Sequence, residues 1–161
     1  MKYVTFGIDK FDKNLFMPIK NVDFVKPEGG MWASEYTPDE EYMSDWERCV
    51  KEDLGIDKPL DYGIIFELTE NARVYTINNY DDLVRLWESY HFTSPYEGVM
   101  SYSSDMLYDF EAMSKDYDAI KLTYDGQWKT RLTRPSLYGW DCECILIMNP
   151  DVVINVAPFN K

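Results

Sequence analysis

Histidine is almost missing from this chain: its 161 residues include one, His91, beside 29 acidic and 16 basic side chains. One imidazole leaves a Ser-His-Asp triad without support, and there is no G-x-S-x-G elbow, P-loop or G-x-G-x-x-G segment. Cysteine is scarce as well. Three residues, an odd number, provide no disulfide framework. Cys142 and Cys144 share a strand face and Cys49 lies far away in sequence, short of the four closely paired ligands of structural zinc. No metal site is expected, and the thiols read as small buried hydrophobes. No apolar run approaches the ~20 residues that cross a bilayer, and "MKYVTFGIDKFDKN" lacks the apolar core of a secretion signal. The expectation is a cytoplasmic protein with reduced thiols and no membrane contact.

Positive charge is also short, leaving a formal net charge of −13. Such a field repels phosphate backbones and argues against general nucleic-acid binding. It is compatible with a basic protein partner, with imitation of nucleic acid towards one, or with solubility alone.

What the chain has in quantity is aromatic surface: 13 Tyr, 8 Phe and 5 Trp. The length is that of one ordinary domain, read as 1–161 without a linker or repeat. "KYVTF" and "MWAS" read as short strands, separated by a long loop over residues 8 to 30 that ends in Gly29-Gly30. Thr37 and Pro38 predict the start of a helix running to Gly55, with Tyr42, Met43, Trp46, Cys49 and Val50 on one face. "YGIIFEL" and "ARVYTI" read as a hairpin across "TEN". Helices are expected over about 80–91, capped by Asn79, and about 104–115, with Met106, Leu107, Phe110 and Met113 inward. "AIKLTY", "CECILIMNP" and "VVINV" complete the strands, with a turn at Asn149-Pro150-Asp151. That order predicts an α+β domain with a largely antiparallel sheet.

Two segments are odd as pure core. "KPEGGMWAS" sets two glycines, which tolerate close backbone approach, ahead of Trp32 and Ser34 on one strand face. "SLYGWDCE" sets Tyr138, Gly139 and Trp140 ahead of Glu143. In the strand that follows, alternation puts Cys142, Cys144, Leu146 and Met148 on one face and Glu143, Ile145 and Ile147 on the other. Aromatic planes, a hydroxyl and a carboxylate suit a flat heteroaromatic ring joined to a sugar. They equally suit two aromatic strand entrances that pack the core.

These blocks, together with the glycine-containing first strand, "YDAI" and "NPD", resemble a group of uncharacterised bacterial and phage proteins. Through them the chain resembles a remote branch of the ADP-ribosyltransferase superfamily, which includes poly-ADP-ribose polymerases and mono-ADP-ribosylating toxins. The resemblance implies split antiparallel sheets with about three helices, and NAD bound as a substrate. It makes Glu143 and Ser34 the catalytic pair, and Thr5, Gly7, Gly30, Trp32, Tyr138 and Trp140 the residues that hold NAD. Superfamily members carry Arg or His on the first strand. Here Thr5 stands nearest, able to hydrogen-bond a ribose but not to supply a cation. The implied activity is transfer of ADP-ribose to an acceptor that the sequence does not identify, protein being favoured over nucleic acid, or cleavage that releases nicotinamide. The alternative is a non-catalytic acidic interaction protein on the same fold, which blocks a basic partner such as a defence factor.

Overall fold

In the computed structural model, which describes residues 1–22, 26–55, 60–91 and 107–161, the sheet is assembled from seven strands. They are β1 (Lys2–Phe6), β2 (Met31–Glu35), β3 (Tyr62–Leu68), β4 (Val74–Ile77), β5 (Ala119–Leu122), β6 (Cys144–Ile147) and β7 (Val153–Asn160). Their order in the sheet is β4-β5-β6-β2-β1-β3-β7. Every neighbouring pair is antiparallel except β4 and β5. Where split antiparallel sheets with three helices are expected, the described residues form one mixed sheet with four α-helices. These are α1 (Asp45–Arg48), α2 (Tyr80–Tyr90), α3 (Phe110–Asp116) and α4 (Tyr124–Thr130). The α+β class stands.

Each face of the sheet buries its own core. Cys142, Cys144, Leu146 and Met148 pack with Ile77, Leu83, Leu86, Phe110 and Trp140 on one side. Ile145 and Ile147 pack with Tyr3, Ala33, Ile64 and Phe66 on the other. The period-two alternation expected of the last apolar run is therefore real: β6 is buried on both faces, which is why it lacks polar positions.

Several local expectations fail for identifiable reasons. The helix does not start at Thr37. Its backbone N–H donates to Met43 O and its hydroxyl to Tyr42 O, closing a turn. Ser44 caps instead, accepting from Glu47 N, and π-helical turns over Cys49–Leu54 follow until Gly55, at φ +56, ends the run. The hydroxyl pairing of Thr37 was a competing local use of a good capping residue. The expected β3–β4 hairpin is absent too. β3 lies between β1 and β7, and β4 runs parallel to β5. Long-range partners outweigh the short connection because β4 reaches the opposite edge of the sheet.

Asn79 does cap α2. On that helix Leu83 and Leu86 are buried, whereas Tyr80 is exposed. The helix expected from about 104 begins only at Phe110, capped by Asp109, and Met106 lies outside the described residues. Leu107, Phe110 and Met113 are buried as expected. The stretch 124–134 is mostly polar and carries no long apolar run. It holds α4, capped by Thr123, whose buried Gly126 lets the helix approach Ile77 O closely.

Candidate functional site

The site follows from how β2 divides its partners. Met31, Trp32 and Ala33 pair with Ile147, Leu146 and Ile145 of β6. Ser34 and Glu35 pair with Val4 and Tyr3 of β1 on the other side. Two forks result. At one, β1 and β2 part beyond the Val4–Ser34 pair. At the other, β2 and β6 part beyond Ala33–Ile145.

The first fork holds a cavity of about 430 Å³, lined from β1 by Val4, Thr5 and Phe6 and from β2 by Trp32, Ala33 and Ser34. Trp46, Leu60, Trp140, Asp141, Cys142, Cys144 and Lys26 complete the wall. Trp32 and Trp140 meet almost perpendicularly, with ring centroids 4.7 Å apart at 81°. Lys26 Nζ lies 5.6 Å from the Trp32 ring centre and 3.5 Å from Asp141 Oδ2.

The second fork holds Glu143. Its Oε2 accepts from Ser34 Oγ at 2.6 Å and from Glu35 N at 2.9 Å. The carboxylate therefore takes the backbone donor that a longer β2–β6 ladder would have used. Ser34 Oγ also lies 3.0 Å from Glu143 O. Asp45, the first residue of α1, accepts from Glu143 N at 2.8 Å and pins the backbone there. Glu143 is 6% exposed, and its Oε1 is buried without a hydrogen-bond partner among the described residues. Burial pushes its carboxyl up to about 7, and nearby Glu35 adds to this, against the lowering effect of the Ser34 and Glu35 hydrogen bonds and of Lys121. Lys121 is itself buried and ion-paired with Glu35. Tyr3 stands beside the same acids, its hydroxyl pushed up to about 12 by burial first and then by Glu35 and Glu143.

The expected residues divide. Thr5, Trp32, Ser34 and Trp140 line one cavity. Glu143 is not on the wall; it sits behind Ser34 and reaches the cavity through that hydroxyl. Tyr138 is 54% exposed, under the Arg131 guanidinium, away from the wall. Gly7 donates its N–H to Tyr62 O at the end of β1, also off the wall. Gly30 serves packing. At φ +69, an added Cβ would come within 2.8 Å of Ile147 O and of the Ile19 and Leu146 side chains.

Four contributors escaped the sequence reading: Lys26, Trp46, Asp141 and Asp45. Lys26 and Asp141 stand inside the two blocks already singled out, so nearness to Trp32 and Trp140 was the available signal. Trp46 was assigned to a helix face, and nothing local to Asp45 announces its bond to Glu143 N.

The three thiols are buried. Burial raises the Cys49 thiol to about 12. Cys142 is raised by its hydrogen bond with Cys144 and by burial. Such groups are poor nucleophiles. Among the described residues no three His, Cys, Asp or Glu side chains converge as metal ligands, and no helix is long and apolar enough to cross a membrane. The chain matches no family model, no curated protein and no solved structure.

Proposed function

We propose that this chain is an ADP-ribosyltransferase-like protein that binds NAD as a substrate, with Glu143 as its catalytic carboxylate. One observation carries the reading: Ser34 belongs both to the wall of an aromatic cavity and to the 2.6 Å hydrogen bond with a buried, partly orphaned glutamate. In this reading the two forks flanking β2 correspond to the split sheet of that superfamily.

The residues suit half of the ligand well. Perpendicular tryptophans would take the nicotinamide, and Thr5 and Ser34 would meet ribose hydroxyls. At 430 Å³ the cavity lies in the lower part of the range usual for small-molecule sites. The diphosphate would meet one cation of the wall, Lys26, in place of the missing first-strand Arg or His.

The chemistry required is heterolysis of the bond between nicotinamide and ribose. Nicotinamide leaves with the electron pair, and the ribose carbon becomes oxocarbenium-like before a nucleophile, a protein side chain or water, adds to it. A carboxylate hydrogen-bonded to a ribose hydroxyl stabilises that positive charge. Glu143 Oε1 is the oxygen without a commitment. Its ionised form is needed, so release should rise with pH through about 7.

The test is to incubate the protein with labelled NAD, with and without a cell lysate, and follow nicotinamide release and label transfer. Glu143→Gln should lower either by about 100- to 1,000-fold. Absence of turnover and of NAD binding at millimolar concentration would overturn the proposal.

A second reading is favoured by one observation: Glu143 is sealed behind Ser34 rather than standing on the wall. It makes the chain an acidic interaction protein of the same fold that has lost turnover, using its charge of −13 to hold a basic partner. Salt-sensitive capture of a basic protein, equal for the native chain and Glu143→Gln, is its expected signature.

A further inference from the structure

We infer that α4 carries a self-association surface, and that its occupant is a second copy of this chain docked antiparallel about Trp128. The helix is apolar on its outer side. It buries Gly126, Gln127 and Thr130, and it presents Tyr124 and Trp128 to solvent, 51% and 65% exposed. Those two rings meet edge to face, with centroids 6.3 Å apart at 66°. Four residues beyond Trp128, Leu132 is 84% exposed. A helix that packs only on its own domain turns its large apolar side chains inward, so this outward stripe suits a contact beyond the domain. Tyr138, under the Arg131 guanidinium, and Tyr80, whose hydroxyl donates to Arg134 O, are also exposed and extend the strip. Tryptophan, tyrosine and arginine are the residues that protein contacts favour.

Charge selects the occupant. Two copies of a chain carrying −13 repel each other, and they do so least where acid is scarce. Residues 124 to 138 are such a place, with Lys129, Arg131 and Arg134 against a single acid, Asp125. The strip also complements itself. Asp125 and Lys129 stand one turn apart, both exposed, and pair within one copy at 2.9 Å. Two such helices crossing antiparallel about a two-fold axis near Trp128 set Asp125 of each copy against Lys129 of the other. Both ion pairs then survive the exchange, as an isologous contact requires. The exposed surface of Tyr80, Tyr124, Trp128, Leu132 and Tyr138 is on the order of 500 Å² per copy, short of the ~800 Å² per partner of a standard interface. A micromolar dimer is therefore expected. Its formation is independent of what the cavity binds.

Sedimentation equilibrium of the full chain from about 1 to about 500 μM, near physiological ionic strength, tests this. A monomer–dimer equilibrium is expected within that range. Trp128→Ser should weaken it by more than about thirtyfold. Leu15→Ser, a change at a similarly exposed side chain away from α4, should leave it unaltered. Asp125→Lys and Lys129→Asp should each weaken it roughly tenfold, because like charges then face each other across the axis. Mixing those two variants should restore the dimer, since unlike charges meet again. Thermal unfolding checks that every variant folds. A monomer throughout the range, assemblies that grow past the dimer, equal effects of Leu15→Ser and Trp128→Ser, or a mixture no tighter than either variant alone would each overturn the inference. The first of these outcomes would leave the strip to a different protein.

Discussion

Two carboxylates are buried to almost the same degree at opposite ends of the β5–β6 pair, and they live in opposite electrostatic states. Asp118, 5% exposed, stands just before β5, beside the end of β6. It accepts from Arg73 N, Nε and Nη2 and from Asn149 Nδ2. The Arg73 guanidinium, foremost, holds its carboxyl down to about 2 against the opposing effect of burial. Glu143, 6% exposed, stands just before β6 with two donors on one oxygen and, among the described residues, none on the other, and burial lifts it to about 7. Equal burial thus gives a fully hydrogen-bonded ionised clasp at one end and a half-paired carboxyl with a raised pKa at the other. The number of donors, not depth, decides which.

The largest expected difference is functional. Glu143→Gln should cost about 100- to 1,000-fold in nicotinamide release, whereas Asp118→Asn should leave release per folded molecule unchanged. Equal losses would erase the contrast.

Stability should reverse the ranking. Asp118→Ala strands the Arg73 and Asn149 donors and should cost about 2–4 kcal/mol in urea unfolding. Glu143→Gln near pH 5 should stay within about 1 kcal/mol, since its carboxyl is already largely protonated there.

The two acids should also imprint different pH windows. The folded pKa of Glu143 is raised, so its contribution is complete below about 4.5 and is lost as pH rises through about 7. The native chain should lose ground to Glu143→Gln between about pH 5 and pH 8, by at most ~3 kcal/mol. The folded pKa of Asp118 is depressed from 3.8, so its contribution is present above that value and lost as pH falls through about 2. Unfolding midpoints across pH for the native chain and both variants will show whether the windows separate.

Smaller still, Ser34→Ala should cost about 1–2 kcal/mol by removing one of two donors to Glu143. It should also move the pH midpoint of nicotinamide release upward. Tyr138→Ala, exposed and off the cavity wall, should change stability by no more than about 0.5 kcal/mol and leave ligand affinity intact.

Much of this was legible in the chain. The alternation in "CECILIMNP" separates Glu143 from the thiols, because a strand allows only two faces and both are covered here. The glycines before Trp32 announced a close approach, which Gly30 makes against β6. Other features misled because they depended on distant partners. Tyr138, in the same block as Trp140, turns outward under Arg131. Gly7 resembled a cofactor glycine and serves a strand end. Lys26 brings a cation to the cavity wall, yet it comes from a loop whose path sequence periodicity does not describe.

The sequence by itself determined the α+β class, most strand positions and the isolation of Glu143 from the cysteines, since these rest on local periodicity and side-chain chemistry. Only the tertiary structure decided that β2 leaves β6 for β1 between Ala33 and Ser34. That one change of partner opens the aromatic cavity on one side and admits a carboxylate on the other. Its physical reason is non-local: a strand has two hydrogen-bonding edges, and here one is claimed by β1, which Ser34 meets at Val4, and the other by β6, which Ala33 meets at Ile145, far along the sequence.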